Sequence, residues 1–193
     1  MTFRMSILTP NFPRACWKLK NYMIILGIDP GSRVTGFGVI SVEKKIIKYI
    51  DSGTIRVKSE STGDRLLEIY RGIREIMSLY PVETAAIEQI FMSTNAQSAL
   101  KLGQARGVAL IAMAEGGLSI GEYTARQIKQ SVVGYGAAEK SQVQAMIQAI
   151  LKLSKAPSTD ASDALACAIC HYHTSQSLIG LIGASKIVRG RLQ

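Results

Sequence analysis

The feature that most limits how this chain can fold is a series of three apolar segments placed close together near its start. Residues 24–28 form a short, β-branched apolar run that is typical of a buried strand. Residues 34–42 and 45–57 alternate between apolar and polar side chains, as half-buried strands do. Short turns separate the three segments, and the first of them contains Gly31, so the sequence predicts three consecutive strands in a meander.

The rest of the chain alternates helices with strands. Strands are predicted over residues 82–87 and 118–123. Thr94 and Gln97 have the spacing of a capping box and predict the start of a long helix. The predicted helices cover residues 64–80, 94–115, 124–132, 139–153 and 159–175. This order predicts an α/β fold with a five-stranded mixed sheet flanked by helices.

A chain of 193 residues is long enough for one domain with its own core. We expect this domain to cover residues 23–175, between a disordered N-terminal extension of residues 1–22 and a flexible basic tail of residues 176–193. The two end segments hold four and three basic residues and no acid, so they supply seven of the nine net positive charges. The charge is therefore weak support for a nucleic-acid partner of the core.

The three cysteines, an odd and low number, favour a reducing compartment over a disulfide framework. The chain has no run of 18 apolar residues and no secretory signal in its first 22 residues, so we expect a cytoplasmic protein with no membrane partner. Cys167, Cys170 and His171 match the spacing of a haem attachment site or a pair of zinc ligands. Their place in an apolar helix favours buried cysteines and no haem.

Four carboxylates stand where an open α/β sheet places its functional sites. Asp29 follows the first strand, Glu88 ends the fourth, and Asp160 and Asp163 share one face of the last helix. Carboxylates that converge there repel one another unless cations compensate. Their oxygens suit Mg²⁺ or Mn²⁺, and two such ions roughly 3.5–4 Å apart can clamp a phosphodiester and activate the attacking water. Taken singly, Asp29 also suits a turn and Asp160 also suits a helix cap.

An aromatic ring and several cations accompany these acids. Phe91 lies three residues after Glu88 in a polar loop, where it either stacks on a base or packs beneath the loop. Four basic residues either contact phosphates or are solvated surface charges, namely Arg106, Arg126, Lys129 and Lys140. The Gly27–Gly36 segment also resembles the phosphate-binding hairpin of actin-like ATPases and sugar kinases, which need two related domains.

Five segments, in order along the chain, resemble the bacterial crossover junction endodeoxyribonuclease family RuvC. They are Ile25–Gly36 (ILGIDPGSRVTG), Ala86–Met92 (AIEQIFM), Asn95–Gly107 (NAQSALKLGQARG), Val132–Val143 (VVGYGAAEKSQV) and Asp160–Ala166 (DASDALA). The resemblance runs from Met23 nearly to the C-terminus and leaves out residues 1–22. Nothing is carried over beyond about residue 175, because the tail of this family varies.

The resemblance implies an RNase H-like fold and a homodimer that nicks Holliday junctions during recombination and DNA repair. The nicks would fall at symmetric points on two strands of like polarity, with two Mg²⁺ ions per site, replaceable by Mn²⁺. The products would carry 5′-phosphate and 3′-hydroxyl ends, and the partners would be four-way junction DNA and the RuvAB branch-migration complex. The implied site residues are the catalytic and metal-binding acids Asp29, Glu88, Asp160 and Asp163, the stacking Phe91, and the DNA-contacting Lys129 and Lys140. Some relatives have a histidine near the last acidic position, where this chain has Asp163.

Three other functions stay open from the residues alone. They are a catalytically silent junction-binding protein, an RNase H-like nuclease that acts on RNA, and an actin-like ATPase. A metal-dependent nicking assay separates the first from an enzyme, and nucleotide binding would mark the third.

Overall fold

The computed structural model describes residues 22–90 and 95–189, without the side chains of residues 178–189. Its strands are β1 (Tyr22–Asp29), β2 (Val34–Glu43), β3 (Ile46–Arg56), β4 (Thr84–Glu88) and β5 (Ser119–Tyr123). Its helices are α1 (Thr62–Leu79), α2 (Ala96–Glu115), α3 (Ala125–Val133), α4 (Lys140–Ile150) and α5 (Thr159–Arg189). Each strand and helix that the sequence predicts is present, with ends that differ by a few residues except in α5.

The strands form one mixed sheet in the order β3-β2-β1-β4-β5. The first three strands are antiparallel neighbours, whereas β4 and β5 run parallel to β1. The predicted five-stranded mixed sheet flanked by helices is therefore confirmed. In the register of β1 and β4, Ile28 pairs with Ile87. The next residues, Asp29 and Glu88, are the last residues of these two strands and consequently lie side by side at the same end of the sheet.

Helices cover both faces of the sheet. On one face, α1 and α2 pack against alternate residues of β1, including Ile24 and Leu26. On the other face, α3, α4 and α5 pack against Ile25 of β1 and Ile40 of β2. The central strand is thus buried on both sides, which explains why its sequence is a continuous apolar run instead of an alternating one.

Helix α5 lies against the sheet at main-chain distance because glycines stand beneath it. A Cβ atom added to Gly27 would lie 2.0 Å from the carbonyl oxygen of Ala164. A Cβ atom added to Gly36 would lie 2.1 Å from the carbonyl oxygen of Asp160. Any larger residue at either position would push the helix away from the strands. The glycines therefore hold the first turns of α5 over the end of β1.

Two element starts differ from the sequence prediction. Strand β1 begins at Tyr22, inside the predicted extension, because this residue still pairs with Glu43 of β2; residues 1–21 lie outside the described residues. Helix α2 begins at Ala96, and its N-cap is Asn95, whose side chain accepts a hydrogen bond from the Ser98 amide at 3.1 Å. The predicted capping box placed this start too early, since Asn95 supplies the cap.

The last helix is longer than its sequence pattern indicates. It is predicted to end near residue 175, but α5 continues to Arg189. The sequence from 176 to 189 contains no proline, so nothing removes a backbone donor and breaks the helix there. Over the described residues, none of the helices has both the length and the apolar character that crossing a membrane requires.

Candidate active site

Three of the four predicted acids line one cavity of about 350 Å³ where β1 and β4 end. Asp29 and Glu88 reach it from these neighbouring parallel strands, and Asp163 reaches it from α5. Asp160, one turn earlier on the helix, is half-buried and does not line this cavity. It lies against Gly36 and still adds to the negative potential at Asp29. The structure thus brings three acids together and keeps the fourth beside them.

The cluster carries more negative charge than its surroundings compensate. Burial is the main cause that raises the pKa of Asp29 from 3.8 to about 7, and the carboxylates of Glu88 and Asp163 add to the effect. The pKa of Glu88 is also raised, first by burial and then by Asp163. Buried carboxylates that repel one another in a cleft mark a functional site and attract cations.

Two lysines face the acid cluster. The Nζ atom of Lys140 donates to Oδ2 of Asp163 at 3.0 Å, and this hydrogen bond is the main cause that raises the pKa of the lysine. Lys129 lines the same cavity, and its charge lowers the pKa of Glu88 against the effect of burial. Lys129 and Lys140, the two lysines that the resemblance implies as DNA contacts, therefore both lie beside the acids.

Short, well-capped helices carry these two lysines. Helix α3 begins with a capping box in which Thr124 and Gln127 exchange hydrogen bonds. It ends at Gly134, whose φ of 95° lies in the left-handed region that glycine adopts without steric cost. Helix α4 begins with a second box between Glu139 and Gln142, directly before Lys140. Each lysine is therefore mounted on a helix whose start is fixed by its own sequence.

A buried threonine closes the turn that follows Asp29. The hydroxyl of Thr35 donates to the carbonyl oxygen of Gly31 at 3.0 Å. A Cβ atom on Gly31 would lie 1.9 Å from the carbonyl oxygen of Val34, so only glycine fits in this hairpin. The tight turn sets where β1 stops, and it therefore sets the position of Asp29.

The predicted stacking residue, Phe91, lies outside the described residues. Its neighbours Gln89 and Ile90 line the cavity, as does Leu102 of α2. The amide of Gln89 donates to the carbonyl oxygen of Tyr123 at 2.8 Å, which continues the pairing of β4 with β5. The segment that carries Phe91 thus starts at the wall of the cavity.

Two side chains outside the cavity have contacts that the sequence did not indicate. The Arg106 side chain is only 18% exposed. Its Nε atom donates to the carbonyl oxygen of Glu88 at 3.1 Å, and one of its two terminal guanidinium nitrogens pairs with the carboxylate of Glu122. His171 of α5 is hydrogen-bonded to the hydroxyl groups of Thr84 and Tyr123, at 2.8 Å each. No sequence signal marks the first contact, because its acceptor is a main-chain atom. Cys167 and Cys170, as the apolar helix pattern indicates, are buried free thiols.

The donor set suits a hard divalent cation in its chemistry, because the acids offer half-buried carboxylate oxygens whose negative charge the two lysines compensate only in part. Within the described parts of the chain, no three Asp, Glu, His or Cys side chains converge closely enough to hold one ion. One oxygen of Asp163 is occupied by the ammonium of Lys140. A cation that used Asp163 would therefore compete with Lys140.

The sequence and the fold of this chain are both similar to those of known proteins. The sequence profile of the family described as crossover junction endodeoxyribonuclease RuvC matches residues 25–171. The protein of that description from Francisella tularensis subsp. novicida (strain U112) is 56% identical over 171 residues, which are 89% of this chain and 100% of the relative. Thermus thermophilus RuvC superposes with a TM-score of 0.74 at 31% identity, over 80% of this chain and 96% of that one. For T. thermophilus RuvC in complex with Holliday junction substrate, the TM-score is 0.75 at 30% identity, over the same shares.

Proposed function

This chain belongs to the crossover junction endodeoxyribonuclease RuvC family, and we propose that it resolves Holliday junctions by nicking them. Its fold is that of T. thermophilus RuvC, so the expectation of an RNase H-like architecture is confirmed. One observation carries the proposal: half-buried acids from β1, β4 and α5 and lysines from α3 and α4 line a single cavity. This combination suits the hydrolysis of a phosphodiester. The lysines attract the negatively charged phosphate, and the acids supply oxygen ligands for a metal that would activate water.

We assign the roles in the reaction as follows. Lys129 and Lys140, at the rim of the cavity, bind the phosphates on either side of the scissile bond. Asp29, Glu88, Asp160 and Asp163 form the oxygen-ligand set for two Mg²⁺ ions, for which Mn²⁺ can substitute. Bound there, the metal would lower the pKa of the attacking water and stabilise the leaving oxygen. Phe91 stacks on a base next to the cleavage point.

A homodimer fits a substrate with two equivalent strands, because two sites related by a two-fold axis can nick both in the same way. Helix α2 presents a face suited to a second copy of this chain. Leu100 and Ile111 are 64% and 63% exposed on it, and Gly107 lies between them. A Cβ atom on Gly107 would meet nothing within 4 Å in the protomer, so this part of the helix is open to close approach.

The products and partners follow from the same proposal. Hydrolysis on the 3′-oxygen side of the phosphate gives 5′-phosphate and 3′-hydroxyl ends, which a ligase can seal. Nicks at symmetric points on two strands of like polarity separate the junction into two duplexes. The enzyme would then act in recombination and repair beside the RuvAB branch-migration complex, which moves the junction to a cleavable position.

The test is to incubate the protein with a labelled four-way DNA junction, a linear duplex and an RNA–DNA hybrid, with and without Mg²⁺. We expect paired nicks in the junction only, only with the metal, and products that ligate without further treatment. Cleavage of the hybrid alone would instead indicate a nuclease acting on RNA. Junction binding without any nick in Mg²⁺ or Mn²⁺ would contradict the proposal and indicate a silent binding protein.

The dimer is tested separately by mass measurement in solution. The double variant Leu100→Glu, Ile111→Glu should be a folded monomer, whereas Ile46→Glu, another exposed apolar residue at 59%, should leave the dimer intact. A dimer that survives the charged α2 face would show that the copies meet elsewhere.

A further inference from the structure

Arg106 holds the end of β4 by its main chain. Its Nε atom donates to the carbonyl oxygen of Glu88 at 3.1 Å, and the rest of its guanidinium pairs with the carboxylate of Glu122 on β5. On the other side of the same peptide bond, the Gln89 amide donates to the carbonyl oxygen of Tyr123 at 2.8 Å. Both polar atoms of the peptide that links Glu88 to Gln89 are therefore fixed.

The guanidinium reaches this peptide from the face of the sheet opposite to the acids. Ala86 packs on the α5 side, so Glu88, two residues later, directs its side chain to that side as well. Ile120 packs on the α1 and α2 side, and Glu122 therefore lies on the same side as Arg106. Arg106 thus supports the strand behind Glu88 without touching the carboxylate or the cavity.

The contact also spans the segment that contains Phe91. Glu88 is the last residue of β4, and Arg106 lies ten residues after the start of α2 at Ala96, so the hydrogen bond ties the end of β4 to the middle of the helix that follows this segment. A planar guanidinium with fixed donors can bind the carbonyl oxygen and the Glu122 carboxylate at once, which a single ammonium cannot do with the same geometry. The ion pair with Glu122 in turn keeps the guanidinium oriented.

We propose that Arg106, oriented by Glu122, is a positioning residue that sets the carboxylate of Glu88 and the start of the Phe91 segment in register with each other. The inference rests on the proposed nuclease function. It differs from the phosphate contact that a basic residue near the site suggests, because the side chain is 18% exposed and its Nε atom and one terminal nitrogen are already bonded within the protein. Misplacing a reacting group by about 1 Å can cost roughly 100-fold in rate.

The experiment compares Arg106→Met, Arg106→Lys and Glu122→Gln with the wild-type protein. Arg74→Met is the matched control, since Arg74 also pairs with a carboxylate, Glu115 at 3.9 Å, but at the C-terminal end of α2, nine residues after Arg106. The measurements are the single-turnover nicking rate at saturating protein, junction affinity against salt, the thermal midpoint, and hydrogen exchange at the Gln89 amide.

We expect Arg106→Met to lower the saturated nicking rate by roughly 10- to 100-fold while the salt slope of junction binding stays unchanged. Arg106→Lys should recover part of the rate, because it keeps the charge beside Glu122 and one donor. The Gln89 amide should exchange faster in Arg106→Met and not in Arg74→Met. A merely structural role would lower the thermal midpoint without this loss of rate at saturation.

Two results overturn the proposal. One is a salt slope that falls by about 0.9 with Arg106→Met, which is the mark of a lost phosphate contact. The other is a wild-type nicking rate in both Arg106→Lys and Glu122→Gln, which decides the matter even if Arg106→Met does not fold. If Arg106→Met nicks at the normal rate and its Gln89 amide exchanges at the wild-type rate, this inference alone is refuted. If the Gln89 amide exchanges faster in Arg106→Met but the wild-type protein does not nick junctions at all, the nuclease function is refuted.

Discussion

Replacing Asp29 by asparagine should make the protein more stable and inactive at once. Burial and neighbouring carboxylates raise the pKa of Asp29 from 3.8 to about 7, so the ionised form is unfavourable in the folded state. One pKa unit corresponds to about 1.4 kcal/mol, so ionised Asp29 costs the fold on the order of 4 kcal/mol. Asparagine has nearly the shape of the protonated acid and carries no charge. Asp29→Asn should therefore raise the free energy of unfolding at pH 8 by up to about 4 kcal/mol.

The pH dependence follows from the direction of the shift. Below pH 3.8, Asp29 is protonated in both the folded and the unfolded state and costs nothing. Between 3.8 and about 7, only the unfolded state loses the proton, so the wild-type protein becomes less stable as the pH rises. Above about 7 the full cost is present and constant. The Asn variant lacks this slope, and the two proteins should be nearly equal in stability near pH 4.

The assay is unfolding by urea in the presence of a chelator at pH 4, 6 and 8. The control is Glu75→Gln, which removes an exposed acid of α1 and should change stability by less than about 0.5 kcal/mol. Excess Mg²⁺ should stabilise the wild-type protein and have little effect on Asp29→Asn, whose nicking should be lost while junction binding is kept. An Asn variant less stable than wild type at pH 8, or one with substantial residual cleavage, would refute the reasoning.

Three further predictions test residues around the cluster. Phe91→Ala should slow cleavage of a bound junction much more than it weakens binding, because stacking worth roughly 1–3 kcal/mol positions the base; equal losses would make Phe91 a structural support. Replacing Lys129 and Lys140 together by alanine should reduce the slope of log K against log salt by about two, at about 0.9 per phosphate contact, and an unchanged slope would place both away from DNA. A variant that begins at Met23 should keep its thermal midpoint and its junction cleavage at moderate salt, and a loss of several degrees would show that residues 1–22 pack on the domain.

The sequence predicts the arrangement of strands well because the pattern of β1 is unambiguous. A continuous apolar run fits a central strand, and alternating runs fit strands with one more exposed face. Glu88 is predictable because a charge directly behind a buried strand has no local explanation, whereas Asp29 also suits a turn and is marked by its place at the end of β1 beside the other acids. The end of α5 is not predictable in this way, because residues 176–189 contain no proline, and Gly180 and Gly183, a residue type that often ends helices, lie inside α5.

Contacts that depend on the main chain could not be read from the residue pattern. Arg106 looked like a solvated cation, since the carbonyl oxygen that it binds is present at every position of a chain. The pairing of Lys140 with Asp163 joins residues 23 positions apart and follows only from the packing of α4 on α5. The N-cap of α2 is Asn95 and not Thr94, a choice that the sequence does not decide because both residue types are common helix caps.

The glycine contacts beneath α5 have a consequence for how the enzyme meets its substrate. Ala164 lies against Gly27 of β1 and Asp160 against Gly36 of β2 through their carbonyl oxygens, so no side chain separates the first turns of α5 from the sheet at these two contacts. We therefore expect Asp29 and Asp163 to keep their separation when a phosphate binds. We expect the DNA to change shape instead of the site when the two meet. Junction sequences that unstack easily at the crossover should therefore be cut fastest, because they are easier to deform and not only because of contacts to their bases.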